Sequence, residues 1–166
     1  MGMDEPPESR PDTPANDTCP HCGAAVPDAA KGCRPLFVEV SFRQMSDRDV
    51  FSMHRLTVDA YALQHPDEYC KSAKSLAAHL TGLCWAFEYD GSPEVAKALK
   101  KWLDGNPGID RLVPPESRGT GSIADVHGTQ GSAEHIGAVR KWARSVWEAW
   151  AEHHDKARRW VEEAQR

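Results

Sequence analysis

With 166 residues, 40% of them hydrophobic and 27% charged, the chain can bury the core of one soluble domain. Its net charge of -5 argues against a general nucleic-acid or anionic-membrane binder. No apolar run approaches the roughly 20 residues that cross a bilayer.

Residues 1–18, MGMDEPPESRPDTPANDT, hold four prolines, several acids and hardly any apolar side chain. They predict a disordered tail and lack the apolar stretch of a secretory signal. Residues 19–34, CPHCGAAVPDAAKGCR, place Cys19, Cys22 and Cys33 in a CxxC-x10-C array. Thiolates at this spacing suit zinc, and Gly23 permits the tight knuckle that turns backbone amides toward the Cys22 sulfur. Five cysteines, two of them in a CxxC, fit metal binding in a reducing cytoplasm better than a disulfide framework. Structural zinc takes four ligands, so one must come from elsewhere.

The next residues predict a helix over 35–45, with Pro35 in its first turn and Leu36, Phe37, Val40 and Met45 as apolar contacts. SDRD then reads as a turn and N-cap. A second helix follows over 49–64, stopped by Pro66. The short turn makes the pair antiparallel, which brings Cys33 near the far end of the second helix, where His65 lies. His54 is eleven residues away, about 16 Å along a helix, so it cannot share a metal with His65. His65 is therefore the first choice for fourth ligand, with Cys70 the nearest rival; His21, inside the knuckle, is expected to be exposed.

The second helix has an unusual polar content. Met53, Leu56, Ala60 and Leu63 form one stripe, and His54, Val58, Tyr61 and His65 another, which predicts a central helix buried on two sides. His54, Asp59 and Tyr61 are expected to form a buried hydrogen-bonded network. Helices are further predicted over 71–89, with a stripe of Leu76, His79, Leu80, Leu83 and Phe87, and over 93–103, capped by Ser92 and Pro93. The small residues Ala77, Ala78 and Gly82 around His79 invite close approach of another helix. Residues 104–131, rich in Gly, Pro and Ser, predict a long functional or mobile loop, with SIADVHG as an extended piece. The last stretch, 132–165, predicts one amphipathic helix of roughly 50 Å whose stripe includes Trp147, Trp150 and His154. The fold class is thus all-α: a bundle of four to five helices in a single domain over 19–166, with an N-terminal Cys-rich zinc-binding loop.

His54, His79 and His154 are the histidines that could meet around a catalytic metal in the interior, with Asp59 and Tyr61 as further catalytic candidates. No HxxxH or ExxH pair shares a helix, which weighs against that reading, and no nucleophile elbow or phosphate-binding glycine loop occurs.

The strings CPHCG, HRLTVDAYALQHP, SAKSLAAHLTGL and VRKWARSVWEAWAEHH, with Cys33, together resemble an uncharacterised bacterial family, a domain of unknown function, over most of residues 19–160. The resemblance implies a small cytoplasmic protein without an assigned activity. Its pattern implies a shared set of Cys19, Cys22, Cys33, His54, Asp59, Tyr61, Gln64, His65 and His79. Cys70 and Cys84 lie outside it, which favours His65 as ligand.

The expectation is a zinc-binding helical protein in which zinc is structural and the role is binding, through a protein partner or a homodimer. Of the tryptophans of the last helix, Trp142, Trp147, Trp150 and Trp160, core is the default for Trp147 and Trp150; a third reading is an interaction module that binds another protein through an exposed aromatic face of that helix. The alternative is a metal-dependent hydrolase or transferase with a His-lined site and the 104–131 loop as lid.

Overall fold

The computed structural model describes residues 17–166, so the expected disorder of residues 1–16 lies outside the described part. Asp17 and Thr18, assigned above to the tail, instead form strand β1 (Asp17–Thr18), which pairs antiparallel with β2 (Ala25–Val26). The hairpin carries the knuckle. The Cys19 amide donates to the Ala24 carbonyl at 2.8 Å and the Gly23 amide to the Cys19 carbonyl at 2.9 Å. Gly23 sits at φ +73°, a conformation that a side chain would disfavour.

The rest of the described chain is mostly helical. Helix α1 (Arg34–Ser46) starts directly after Cys33, has Pro35 in its first turn, and buries Leu36, Val40 and Gln44. A short 3-10 turn over Phe51–Met53 leads into α2 (His54–Gln64), eight of whose eleven residues are buried. That burial, and contacts with α1, with α4 (Ala73–Glu88) and with α7 (Ser132–Ala149), make α2 the central helix. It ends where Pro66 disfavours helical geometry for the residue before it: His65 leaves the helix at φ -128°, ψ 53°. A four-residue α3 (Pro66–Tyr69) links it to α4, where Ser72 accepts from the Ser75 amide at 3.0 Å. Helix α5 (Pro93–Asp104) is capped by Ser92.

Two predicted elements differ. SIADVHG is not extended; it forms α6 (Ile123–His127). The reason was present in the sequence as Ser122-x-x-Asp125, a capping box: the Ser122 amide donates to Asp125 Oδ2 at 2.8 Å and the Ala124 amide to Ser122 Oγ at 3.3 Å. The last helix is not one rod. It stops at Trp150, passes through a 3-10 turn at Ala151–His153 and restarts as α8 (His154–Ala164). Helix α7 packs on α2 and α6, whereas α8 packs on α4 and α5. One straight helix could not serve both surfaces, so tertiary packing overrides the local preference. His154 marks the break: its Nε2–H donates to the Trp147 carbonyl at 2.8 Å, which also accepts from the Trp150 amide at 3.0 Å, and its ring stacks on Trp147 at 3.7 Å. Trp142, Trp147, Trp150 and Trp160 are all buried: Trp147 and Trp150 are core, as expected, and none of the four offers the exposed aromatic face of the interaction-module reading.

Gln64 fastens the long loop. Its Nε2 donates to the carbonyls of Arg118 (2.9 Å) and Gly121 (2.8 Å), and its Oε1 accepts from the Trp142 indole at 2.9 Å. His153 donates to the Val113 carbonyl at 2.7 Å and Arg111 to the Lys71 carbonyl at 2.7 Å, tying the segment at two further points. Gln64→Ala leaves a buried indole N–H and two carbonyls without their partner. It is expected to destabilise the fold by about 1–3 kcal/mol in urea denaturation and to hasten proteolytic cleavage within 105–121.

Candidate metal centre

The end of α2 and the knuckle bring four donors together. Cys19 Sγ lies 3.9 Å and Cys33 Sγ 3.2 Å from His65 Nε2, and Cys22 Sγ lies 3.7 Å from Cys33 Sγ. All four ligand atoms fall within 4.8 Å of one another. A tetrahedral zinc with ordinary bond lengths separates two sulfurs by ~3.7 Å and sulfur from nitrogen by ~3.5 Å. The observed spacings bracket those values. The four side chains are therefore close enough together to ligate one metal ion.

Each donor is positioned by a local cause. The hairpin turn presents Cys19 and Cys22. Cys33 immediately precedes α1. His65 hangs from the frayed end of α2, where its Nδ1–H donates to the Tyr61 carbonyl at 2.8 Å. That bond keeps the Nδ1 proton on the side of α2 and directs Nε2 at the sulfurs. Cys19, Cys33 and His65 are buried and Cys22 is half-buried. Phe37 stacks on Tyr61 at 4.0 Å, and Tyr61 in turn lies 4.2 Å from the His65 ring, forming an aromatic wall beside the donors.

Protonation follows from this crowding. The hydrogen bond from Cys22 holds the Cys33 thiol down to about 4, with help from His65 and Tyr61 and against the effect of burial. Cys22, which keeps the shared proton, is pushed up correspondingly. Burial works against the His65 imidazolium, but its bonds to Cys33, the Tyr61 carbonyl and Cys19 raise it to about 9. Burial also opposes the Cys19 thiolate, yet the amides of His21 and Cys22 and the His65 side chain bring it below its usual value. Without a metal, protons therefore neutralise a cluster that a divalent cation would otherwise hold together.

The other residues singled out from sequence are elsewhere. Cys70, the rival ligand, is buried away from the cage with its thiol directed at the Ala62 carbonyl (3.6 Å), and burial raises it to about 11. Cys84 is likewise buried and raised to about 12. His21 is exposed. The expected network of His54, Asp59 and Tyr61 does not form. Tyr61 turns to the Cys/His cluster, its hydroxyl 3.3 Å from Cys33 Sγ. Asp59 instead accepts from His79 Nδ1 at 2.9 Å and pairs with Arg55 at 3.7 Å, while His54 Nδ1 is buried with no hydrogen-bond partner among the described residues. Asp59, five residues on, points about 140° away from His54 around the helix, and Tyr61, seven residues on, shares its face but lies two turns, about 10 Å, along it, so His54 reaches neither. His154 is engaged at the α7 break, so His54, His79 and His154 do not assemble a second cluster. Among the described residues the cage is the one group of His, Cys, Asp or Glu side chains at ligating distance.

Sequence reasoning overlooked His135. It is fully buried, takes a hydrogen bond from Gln44 at 2.9 Å and meets Thr129 Oγ1 at 3.3 Å; Gln44 also donates to Thr57 at 2.8 Å. Burial, with Arg43 nearby, lowers its pKa and keeps the ring neutral. Only its place within the first turn of α7 could have hinted at this role.

A model of the family of unknown function DUF5946 matches residues 17–151 of the chain. The protein belongs to this family. No curated protein and no solved structure matches significantly. The span shared with DUF5946 takes in all four cage residues and the α2–α4 pair, but leaves out nearly all of the segment after the α7 break. Among the described residues, no helix of this DUF5946 protein is long and apolar enough to cross a membrane.

The Asp59–His79 pair depends on Gly82, where a Cβ would collide with the Asp59 carboxylate. Gly82→Ala is expected to destabilise the fold by about 1–3 kcal/mol in urea denaturation while metal content stays unchanged. Burial also raises the Asp59 carboxyl above its unfolded value, with His79 and Arg55 offsetting only part. The contribution this makes to stability is present at acid pH and is lost as pH rises through the raised folded value. Urea midpoints of Asp59→Asn, compared with wild type across that range, are expected to lack this decline.

Proposed function

We propose that Cys19, Cys22, Cys33 and His65 hold one zinc ion, that the ion is structural, and that the protein acts in the bacterial cytoplasm as a metal-stapled helical binding module. The observation that carries this reading is the near-tetrahedral spacing of three sulfurs and one imidazole nitrogen, with a second hydrogen bond fixing the imidazole. Three soft thiolates favour zinc over the hard cations, and four protein donors leave no coordination position for substrate. The ion would join three segments: the hairpin, the start of α1 and the end of α2. Structural zinc contributes on the order of 10 kcal/mol, comparable to the whole net stability of a domain. The bundle then needs few other long-range ties at that end.

The hydrolase or transferase alternative requires an open metal position among His54, His79 and His154. His79 is engaged by Asp59 and His154 by the Trp147 carbonyl, and among the described residues His54 joins no group of ligating side chains.

Elemental analysis of the purified protein tests this. One zinc per chain is expected in wild type and in His54→Ala, with loss in Cys33→Ser and His65→Ala. Chelation is expected to lower the thermal midpoint of wild type steeply and that of His65→Ala hardly at all. A second metal equivalent lost in His54→Ala, or a wild type that binds no metal, would overturn the reading.

A further inference from the structure

Helix α1 has two apolar sides. Leu36, Val40 and Gln44 face inward, toward α2 and α6. At 3.6 residues per turn, Val38, Phe42 and Met45 fall on the opposite side. They are 56%, 73% and 58% exposed, and Phe51 in the adjoining 3-10 turn is 55% exposed. The other large apolar side chain so exposed among the described residues is Val113. A solvent-facing stripe at spacings of four and three is the pattern of a helix that packs on two neighbours, one of them not within this chain.

We propose that this face of α1 is the interface of a homodimer, formed by antiparallel packing of α1 against α1 of a second copy. The inference rests on the binding-module reading and names the partner. Three observations favour a second copy. First, the stripe is self-complementary. An antiparallel pair with its two-fold axis beside Phe42 sets Val38 of each copy opposite Met45 of the other, with the two Phe42 rings near the axis. Second, the same register sets Arg34, exposed at the start of α1, opposite Asp49, exposed just past its end. A parallel pair would oppose like charges instead. Third, the four apolar side chains expose on the order of 450 Å² per copy. Pairing buries about twice that, and the flanking Pro35, Glu39 and Arg34 bring it to the ~1,200 Å² of small stable interfaces. The chain's own residues 1–16 are a poor occupant. Their large apolar side chains are Met1 and Met3, among four prolines and several acids.

Sedimentation equilibrium on the full metal-loaded chain, from micromolar to hundred-micromolar concentration, tests the proposal. Wild type is expected at twice the 18.4 kDa chain mass. Phe42→Glu combined with Met45→Glu is expected to sediment as a monomer, with helical circular dichroism and zinc content unchanged. Val113→Glu is expected to remain a dimer. Arg34→Asp and Asp49→Arg are each expected to weaken dimerisation at least tenfold, and the two together to restore most of it. A wild type that stays monomeric, or a dimer that survives the double glutamate variant, would overturn the proposal. Zinc content is read on the same samples. A metal-bound monomer would sink the interface and leave the zinc reading standing, whereas a metal-free dimer broken by the glutamates would do the reverse.

Discussion

The structure turns on the last two positions before Pro66. Gln64 and His65 are neighbours in sequence, but one still belongs to α2 and the other has left it. Gln64 reaches to the Trp142 indole and to the loop carbonyls of Arg118 and Gly121. His65 reaches to the sulfurs of the knuckle. The end of one buried helix thus ties the C-terminal part of the fold to the N-terminal hairpin. Proline dictates where this happens, because it makes helical geometry costly for His65 and so swings the imidazole out of the helical path. The Tyr61 carbonyl, near the frayed end, then receives the His65 Nδ1–H. One local constraint thereby sets the ligand's position, the direction of its Nε2 and the register of the surrounding aromatic rings.

Much of this was legible in sequence because the relevant signals are short-range. The CxxC spacing with Gly23 announces a knuckle, Pro35 and Ser92–Pro93 announce helix starts, and the doubled stripe of 53–65 announces a central helix. Antiparallel geometry and helical rise were enough to place His65, rather than His54, near Cys33. Apart from α6, whose capping box is local, the misreadings concern interactions whose partners lie far along the chain. That Asp59 would meet His79, and Tyr61 a sulfur, depends on how α2 packs against α4 and α1, and a one-dimensional stripe does not specify that. The opposite side of α1 was also read too simply. Phe42 and Val38 were not among its expected contacts, and Met45, taken as a core residue, is exposed.

The break after Ala149 shows how packing overrides periodicity. Nothing in SVWEAWAEHH forbids a continuous helix: no proline, no glycine. At the interruption a histidine side chain adds a second donor to the Trp147 carbonyl, beside the Trp150 amide, while its ring covers an indole. In return, α7 lies along α2 and α6 while α8 lies along α4 and α5, α4 touching both, and Trp142, Trp150 and Trp160 are buried. Large aromatic burial outweighs a few hydrogen bonds of ordinary net strength.

Cys33 is at once the residue that caps α1 and a member of the sulfur cage. A dication held by three thiolates and a neutral imidazole carries one surplus negative charge. That charge would rest against the amide end of α1, where the summed peptide dipoles present partial positive charge. With a metal bound, the helix and the cage would be electrically matched, the amide end of α1 steadying the thiolates and the filled cage steadying the first turn of α1. Emptying the cage would remove that charge, leaving α1 held by its packing on α2 and α6 alone. A bound metal would in this way bear on the orientation of a helix about 20 Å long whose outer face is exposed.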